Sequence, residues 1–450
     1  MPFFVAEEFA GQIENAAADT GFVGELEMVS RNCKLEDITD IVIKKMPSFN
    51  ISDEMIAYAS PDSTYAVTRK LLDLAQRSVL IGIYDFSSAY IKQILLNLMD
   101  RGVKVSLMLD LDGAKGENAV FEELGKFGAE VVPAPSCSSK KVNYFSSSHE
   151  KVIVIDDMWV MVQSGNYSNN SIPFNETDGG NPANFVKGNR DMGIAIKSPE
   201  LAKFFTKVLR SDMNLELSGP ESLTESSPIE FPMVVEAVPK LLPEKLFKSK
   251  KFTPSAPVKV TPVLSPDNYM KVVPSFLRSA KKSIYIEQQY IRSKQSDIIK
   301  LLDSIKLAVS KNKVEVKIVL GKIFDKKDIP KEKENLTKLE DDFGLQLSKN
   351  VRYIDTKRFV HCHNKLIIID NEKVLISSQN WSNSAVSKNR EAGLILEYPE
   401  LSKYYSKIFL SDWRTAVDTL PGDGEPETVE AAELSGGGFL EVSIGDYAEV

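Results

Sequence analysis

The sequence predicts an α/β protein built as two tandem, domain-sized α/β repeats that share one active site. Three observations carry this. The 450 residues hold only three histidines, and two of them open the same phrase. One copy is His149-x-Lys151, four apolar residues and Asp156; the other is His363-x-Lys365, four apolar residues and Asp370. Each is followed at the same distance by Ser-x-Asn, as Ser164 and Asn166 and as Ser378 and Asn380. Apolar strand-like runs also alternate with amphipathic helix-like runs through both copies.

The register of the repeat is measurable. His149 and His363, Lys151 and Lys365, Asp156 and Asp370, and Asn166 and Asn380 all stand 214 positions apart. Asn189-Arg190-Asp191 matches Asn389-Arg390-Glu391 at an offset of 200, so the first copy carries fourteen extra residues after Asn166. Upstream, Ser60-Pro61-Asp62 matches Ser265-Pro266-Asp267 at an offset of 205. Residues 56–213 and 261–413 therefore form two copies, a duplication and not a solenoid.

Within the first copy, residues 66–76 read as helix, 78–84 as strand, 88–101 as helix and 101–109 as turn and strand. The second repeats this as helix 268–281, strand 283–287, helix 296–311 and strand 314–320. Helices at 199–213 and 399–413 close the units. Such alternation predicts a largely parallel sheet covered by helices. Residues 1–55 form an N-terminal extension without an assigned role. Residues 214–260, with seven prolines, read as a connecting segment. Residues 321–342 read as an exposed helical insertion, and 414–450 as an acidic, mobile tail. The insertion from Ile172 to Phe185 reads equally as a lid and as an inert surface loop.

Composition narrows the class. No apolar run approaches a membrane span, and the N-terminus lacks a basic secretion-signal region. Three widely spaced cysteines favour a reducing compartment without a disulfide framework. The expectation is a cytoplasmic monomer, able to meet a membrane peripherally. Net charge is −8 overall. Residues 1–50 carry −5 and 417–450 carry −9, which leaves +6 on 51–416, a bias that suits a phosphate-bearing substrate.

The motif chemistry fits a phosphodiester. In an extended strand His149 and Lys151 share a face, as do His363 and Lys365, while Asp156 and Asp370 fall opposite and are assigned structural hydrogen bonds. Lys151, Lys365, Asn166, Asn380, Ser164 and Ser378 offer donors to non-bridging phosphate oxygens. One imidazole can attack phosphorus while the other protonates the leaving oxygen, which removes the need for a metal or cofactor. Each imidazole needs a partner on its second nitrogen. Asp191 and Glu391, 42 and 28 positions after their histidines, are the candidates; the alternative is surface salt bridges with Arg190 and Arg390.

The twin His-x-Lys-x4-Asp phrases, the trailing Ser-x-Asn and the later acid resemble the phospholipase D superfamily over about residues 56–413. The resemblance implies two phospholipase D-like repeats packed with pseudo-twofold symmetry, a site at their interface, a phosphohistidine intermediate and no cofactor. It implies His149 as nucleophile and His363 as general acid. Phospholipid is the leading substrate, hydrolysed or transferred at its headgroup. A nuclease acting on DNA or RNA is the rival, because the Asn380-Trp381-Ser382 phrase with Asn389-Arg390-Glu391 is similar to that of nuclease-like members. A non-catalytic phosphate-binding scaffold is disfavoured by the survival of both His, both Lys and both Asn.

Overall fold

The computed structural model describes residues 33–111, 115–179, 185–219, 246–323 and 326–420. The acidic tail beyond 420 and most of the Pro-rich connector lie outside the described residues. In chain order the elements are β1 (Phe49–Ile51), β2 (Met55–Ser60), α1 (Thr64–Asp73), β3 (Ser78–Ile83), α2 (Ala89–Asp100), β4 (Lys104–Leu109), α3 (Lys115–Lys126), β5 (Glu130–Pro133), β6 (Val152–Ile155), β7 (Trp159–Gln163), β8 (Asp191–Lys197) and α4 (Pro199–Leu217). The second half contains β9 (Lys250–Phe252), β10 (Val258–Ser265), α5 (Tyr269–Arg278), β11 (Ser283–Gln288), α6 (Ser296–Asn312), β12 (Glu315–Leu320), α7 (Ile329–Phe343), β13 (Val351–Tyr353), β14 (Leu366–Ile369), β15 (Lys373–Ser377), α8 (Asn383–Ser387), β16 (Glu391–Glu397) and α9 (Pro399–Thr415).

Two eight-stranded sheets result, ordered β5-β4-β3-β6-β7-β8-β2-β9 and β13-β12-β11-β14-β15-β16-β10-β1. The orders match strand for strand. Alternation along each motif strand sorts its residues between layers: Val152 and Val154 enter one core while Ile153 and Ile155 enter another. The shared inner core also holds Leu366 and Ile368, together with Phe205 and Leu209 of α4 and Tyr405 and Phe409 of α9. One outer core per repeat packs the remaining helices on the far face of each sheet. The layers therefore run helix, sheet, paired closing helices, sheet, helix, with the repeats related by a pseudo-twofold.

The expected largely parallel sheet is corrected. Among the described strands, parallel pairing is confined to β3-β4-β5 and β11-β12-β13; every other neighbour pair is antiparallel. The cause is local. The motif strands return through three-residue turns, and so short a connection can join only antiparallel strands. Asp156 and Asp157 (φ 54° for both) open one turn and Asp370 and Asn371 (φ 57° and 56°) the other. Asp and Asn tolerate this left-handed conformation better than other residues with a side chain. The same aspartates brace the sheet: Asp156 accepts the backbone N–H groups of Gln76, Arg77 and Ser78, and Asp370 those of Lys281, Lys282 and Ser283.

The segments preceding each repeat exchange places. β1 pairs with β10 on the second sheet, and β9 pairs with β2 on the first. The N-terminal strap is also pinned by Ile43 N–H to Asp267 at 2.6 Å, and the connector by Phe247 N–H to Asp62 at 2.8 Å. The expectation of cysteines without a disulfide is corrected too: Cys33 on this strap is bonded to Cys137, with Cα atoms 5.8 Å apart. Cys362 is free and buried. No helix among the described residues is long and apolar enough to cross a membrane.

Candidate active site

The site forms where the two repeats exchange backbone hydrogen bonds. His149 N–H donates to Arg390 O (2.7 Å) and Arg390 N–H to Ser147 O (2.9 Å). Symmetrically, Arg190 N–H donates to His361 O (2.8 Å) and His363 N–H to Arg190 O (3.1 Å). Each histidine thus lies beside the Asn-Arg-acid phrase of the other repeat. The pairing within one repeat that sequence order suggested is corrected: Nδ1 of His149 is 2.8 Å from Glu391 Oε2, and Nδ1 of His363 is 2.9 Å from Asp191 Oδ1.

Ser164 and Ser378 do not point donors at a phosphate. Ser164 Oγ donates to Asp191 at 2.7 Å, and Ser378 Oγ to Glu391 at 2.6 Å. A hydroxyl has one hydrogen, and here it is committed to the acid. The same oxygens accept the N–H of Met192 and Ala392, so each serine locks the acid to its own strand.

The lysines gather around the imidazoles. Lys151 Nζ donates to His149 O at 2.7 Å and lies 5.3 Å from the Tyr84 ring centroid. Lys365 Nζ donates to His363 O at 2.6 Å and is 2.8 Å from His363 Nε2. Both lysine charges act on Glu391, so cations of the two repeats converge on one place. His149, Lys151, Asn166, His363, Lys365 and Asn380 are each at most 2% exposed, so charge interactions here are weakly screened.

The two acids differ. Burial pushes the Glu391 carboxyl up to about 8, against the pull of Lys151, Ser378, Asn389 and Lys365. For Asp191, burial is outweighed by the charge of His363, its hydrogen bond, Lys365 and Ser164, which together hold the carboxyl below its ordinary value.

A family model described as "Cardiolipin synthase, PLD-like domain" matches residues 68–213 and 273–413. The chain belongs to the phospholipase D superfamily. Among similar members, the mitochondrial cardiolipin hydrolase of Danio rerio is 37% identical over 57 residues, covering 13% of this chain and 25% of that protein. A phospholipase D of Rickettsia conorii is 30% identical over 99 residues, covering 22% of this chain and 44% of that protein. The chain thus spans a quarter to under half of these relatives' lengths. The crystal structure of a Haemophilus influenzae phosphatidylserine synthase shares the fold, with a TM-score of 0.59, 15% identity, and coverage of 83% of this chain and 89% of that one.

Two features of this superfamily site escape a sequence reading. Tyr84, at the end of β3, sets its ring edge-on to His149 with centroids 4.8 Å apart; it reads in sequence only as the last residue of an apolar run. Arg190 and Arg390 each sit in a buried clamp between repeats. Arg190 reaches Asp62 at 2.5 Å and Asp412 on α9 at 2.8 Å. Arg390 reaches Asp267 at 2.6 Å and Asp212 on α4 at 2.8 Å. The signal existed, because Asp62 and Asp267, and Asp212 and Asp412, keep the offsets of the repeat.

Proposed function

We propose that the protein is a phosphodiesterase that works through a phosphohistidine intermediate, with phospholipid headgroup esters as its substrate class. The crossed pairing carries this reading: each imidazole is oriented through Nδ1 by an acid of the opposite repeat, with Nε2 as the reacting nitrogen. His149 Nε2 attacks phosphorus as the bond to the leaving oxygen breaks, and His363 delivers a proton to that oxygen. The unprotonated His363 then takes a proton from water or an alcohol, whose oxygen attacks phosphorus and displaces His149. Lys151, Lys365, Asn166 and Asn380 hold the non-bridging oxygens, where negative charge accumulates. A phosphate that draws Lys365 to itself releases His363 Nε2 to carry its proton. The nucleophile and the acid are both side chains of this chain, so the cycle needs no metal, and one monomer supplies both halves. The mildly basic repeats and the phospholipid-acting relatives favour a lipid headgroup met peripherally at a membrane surface.

The test uses phosphatidylcholine vesicles with ethanol, beside single-stranded DNA and RNA, all in EDTA, with wild type and His149→Ala. Phosphatidylethanol formed by wild type alone is the expected result. Nucleic-acid cleavage without any lipid product makes the protein a nuclease, and activity that requires a divalent ion removes the two-histidine mechanism.

A further inference from the structure

At one buried place the two halves of the site exchange a carboxyl between neighbouring strands. Gly82 on β3 and Glu287 on β11 correspond by the 205-residue offset, and Glu150 and Asn364 by the 214-residue offset. The carboxyl side chain therefore comes from the His-x-Lys segment in the first repeat and from the adjacent strand in the second. The exchange is compensated in space. A Cβ on Gly82 would collide with Leu209 and come within 3.0 Å of Glu150 Oε1, while Glu287 Oε2 accepts Asn364 Nδ2 at 2.7 Å. A residue that merely filled the sheet would be apolar, since burying a carboxyl is costly unless it is hydrogen-bonded.

Each carboxyl stands between its histidine and an arginine clamp. Asn364 lies between His363 and Lys365, and its Oδ1 accepts Lys365 N–H at 3.0 Å. Glu287 is also hydrogen-bonded to Asp412, which grips Arg190, and Arg190 O receives the His363 N–H. In the other half Glu150 lies between His149 and Lys151, accepts Ser148 Oγ at 2.9 Å and faces Asp212 and Arg390.

We propose that Glu287 is a positioning residue for the His363 half-site and Glu150 its counterpart for His149. The buried carboxyl fixes the residue between His and Lys against the clamp, and the strand that supplies it is interchangeable. The catalytic part of this inference rests on the phosphodiesterase reading; the placement of His363 does not. Burial, then the Asp412 charge, push Glu287 up to about 8 against Asn364 and Arg190. Burial, then Asp212, push Glu150 up to about 7 against Ser148 and Arg390. Near neutrality Glu287 is therefore largely protonated and Glu150 about half so. The Cys362 thiol also faces Glu287, and Asp62 stands beyond Arg190.

The test compares E287G with E287G/N364E, which copies the arrangement of the first repeat, in full-length chain carrying 15N-histidine. Three histidines make the His363 ring signals assignable. E287G should move the His363 titration midpoint by about one pH unit and lower kcat on phosphatidylcholine, whose leaving alcohol needs the His363 proton, by about 10- to 10²-fold, with KM little changed. Adding N364E should return both toward wild type. Unmoved His363 signals in folded E287G, or a double variant no nearer wild type than the single, would overturn the inference. Where E287G does not fold, E287Q replaces it. This uncharged near-isostere should abolish the change that the His363 signals of wild type undergo as Glu287 ionises above about pH 8, and titrations that overlay through pH 10 would overturn it instead. Predicted His363 shifts in a chain without diesterase activity would sink the proposed function and leave the positioning role standing.

Discussion

Nδ1 of His149 lies 2.8 Å from Oε2 of Glu391, 242 residues further along the chain and in the other repeat. Burial raises that carboxyl to about 8, so below this pH the pair holds one proton more than the proposed nucleophilic role of His149 allows. Loss of that proton leaves Nδ1–H donating to a carboxylate and a lone pair on Nε2. With a substrate that needs no acid assistance, kcat/KM should rise with pH by about tenfold per unit and level off near pH 8. Glu391→Gln should lose that limb and fall by about 10²–10⁴-fold, the scale set by removing an acid that orients a catalytic imidazole. A pH–rate profile of both proteins checks this. An unchanged limb in the Gln variant would assign the titration to another group.

The crossed pairs also separate the roles of the histidines. Asp191 is held below its ordinary value, so it stays anionic and favours an imidazolium on His363, the proton-donating form. His149→Ala should abolish turnover. His363→Ala should slow it by about 10²–10⁴-fold and recover in part with a nitrophenyl leaving group. Asp191→Asn should follow the His363 variant, because it acts through that ring. Recovery in the His149 variant instead would reverse the assignment.

Much of this site was legible because the duplication keeps the spacing of its chemical residues. The equal spacing of His149, Lys151 and Asp156 with His363, Lys365 and Asp370 located the motif strands, and parity set the two aspartates apart from the site. The crossing of partners was not legible, since nothing in chain order distinguishes an acid of the same repeat from one of its twofold mate. Strand direction failed for a similar reason. The alternation of helix and strand holds through β5 and β13, but the motif hairpins that follow are antiparallel. Ser164 and Ser378 were misread because a hydroxyl near lysines suits a phosphate and a carboxylate equally. The exchange of β1 and β9 leaves no sequence signal, as three-residue edge strands are too short to show a period.

Arg390 bonds Asp267 of its own repeat and Asp212 of the other, all of them buried. Removing the cation strands two buried carboxylates. Arg390→Met should cost about 3–5 kcal/mol of stability and slacken Glu391 with it. Arg390→Met with Asp212→Asn and Asp267→Asn should recover a large part, because what costs most is the uncompensated charge. Denaturant melts of the single and triple variants measure the difference, and equal stability would make the clamp an ordinary packing feature.

The same buried carboxyls fix how stability responds to pH. Glu287 and Glu391 are raised to about 8, Glu150 to about 7 and Asp412 to about 6, with burial the largest cause in each. In the unfolded chain all four lose their protons near pH 4. Between those limits the folded state binds more protons, so stability is fully present below pH 4 as far as these groups are concerned and is lost as pH rises toward 8. Asp191 acts in the opposite sense: its folded value is lowered, and its contribution is lost as pH falls below the ordinary carboxylate range. Thermal stability should therefore peak in mild acid and decline toward pH 8. Each raised group contributes up to about 1.4 kcal/mol per pH unit across its own window. Glu287→Gln, neutral at every pH, should flatten the decline between pH 5 and pH 8 without moving the acid side. A Tm profile of the Gln variant parallel to wild type over that range would mean that Glu287 ionises at its ordinary pH.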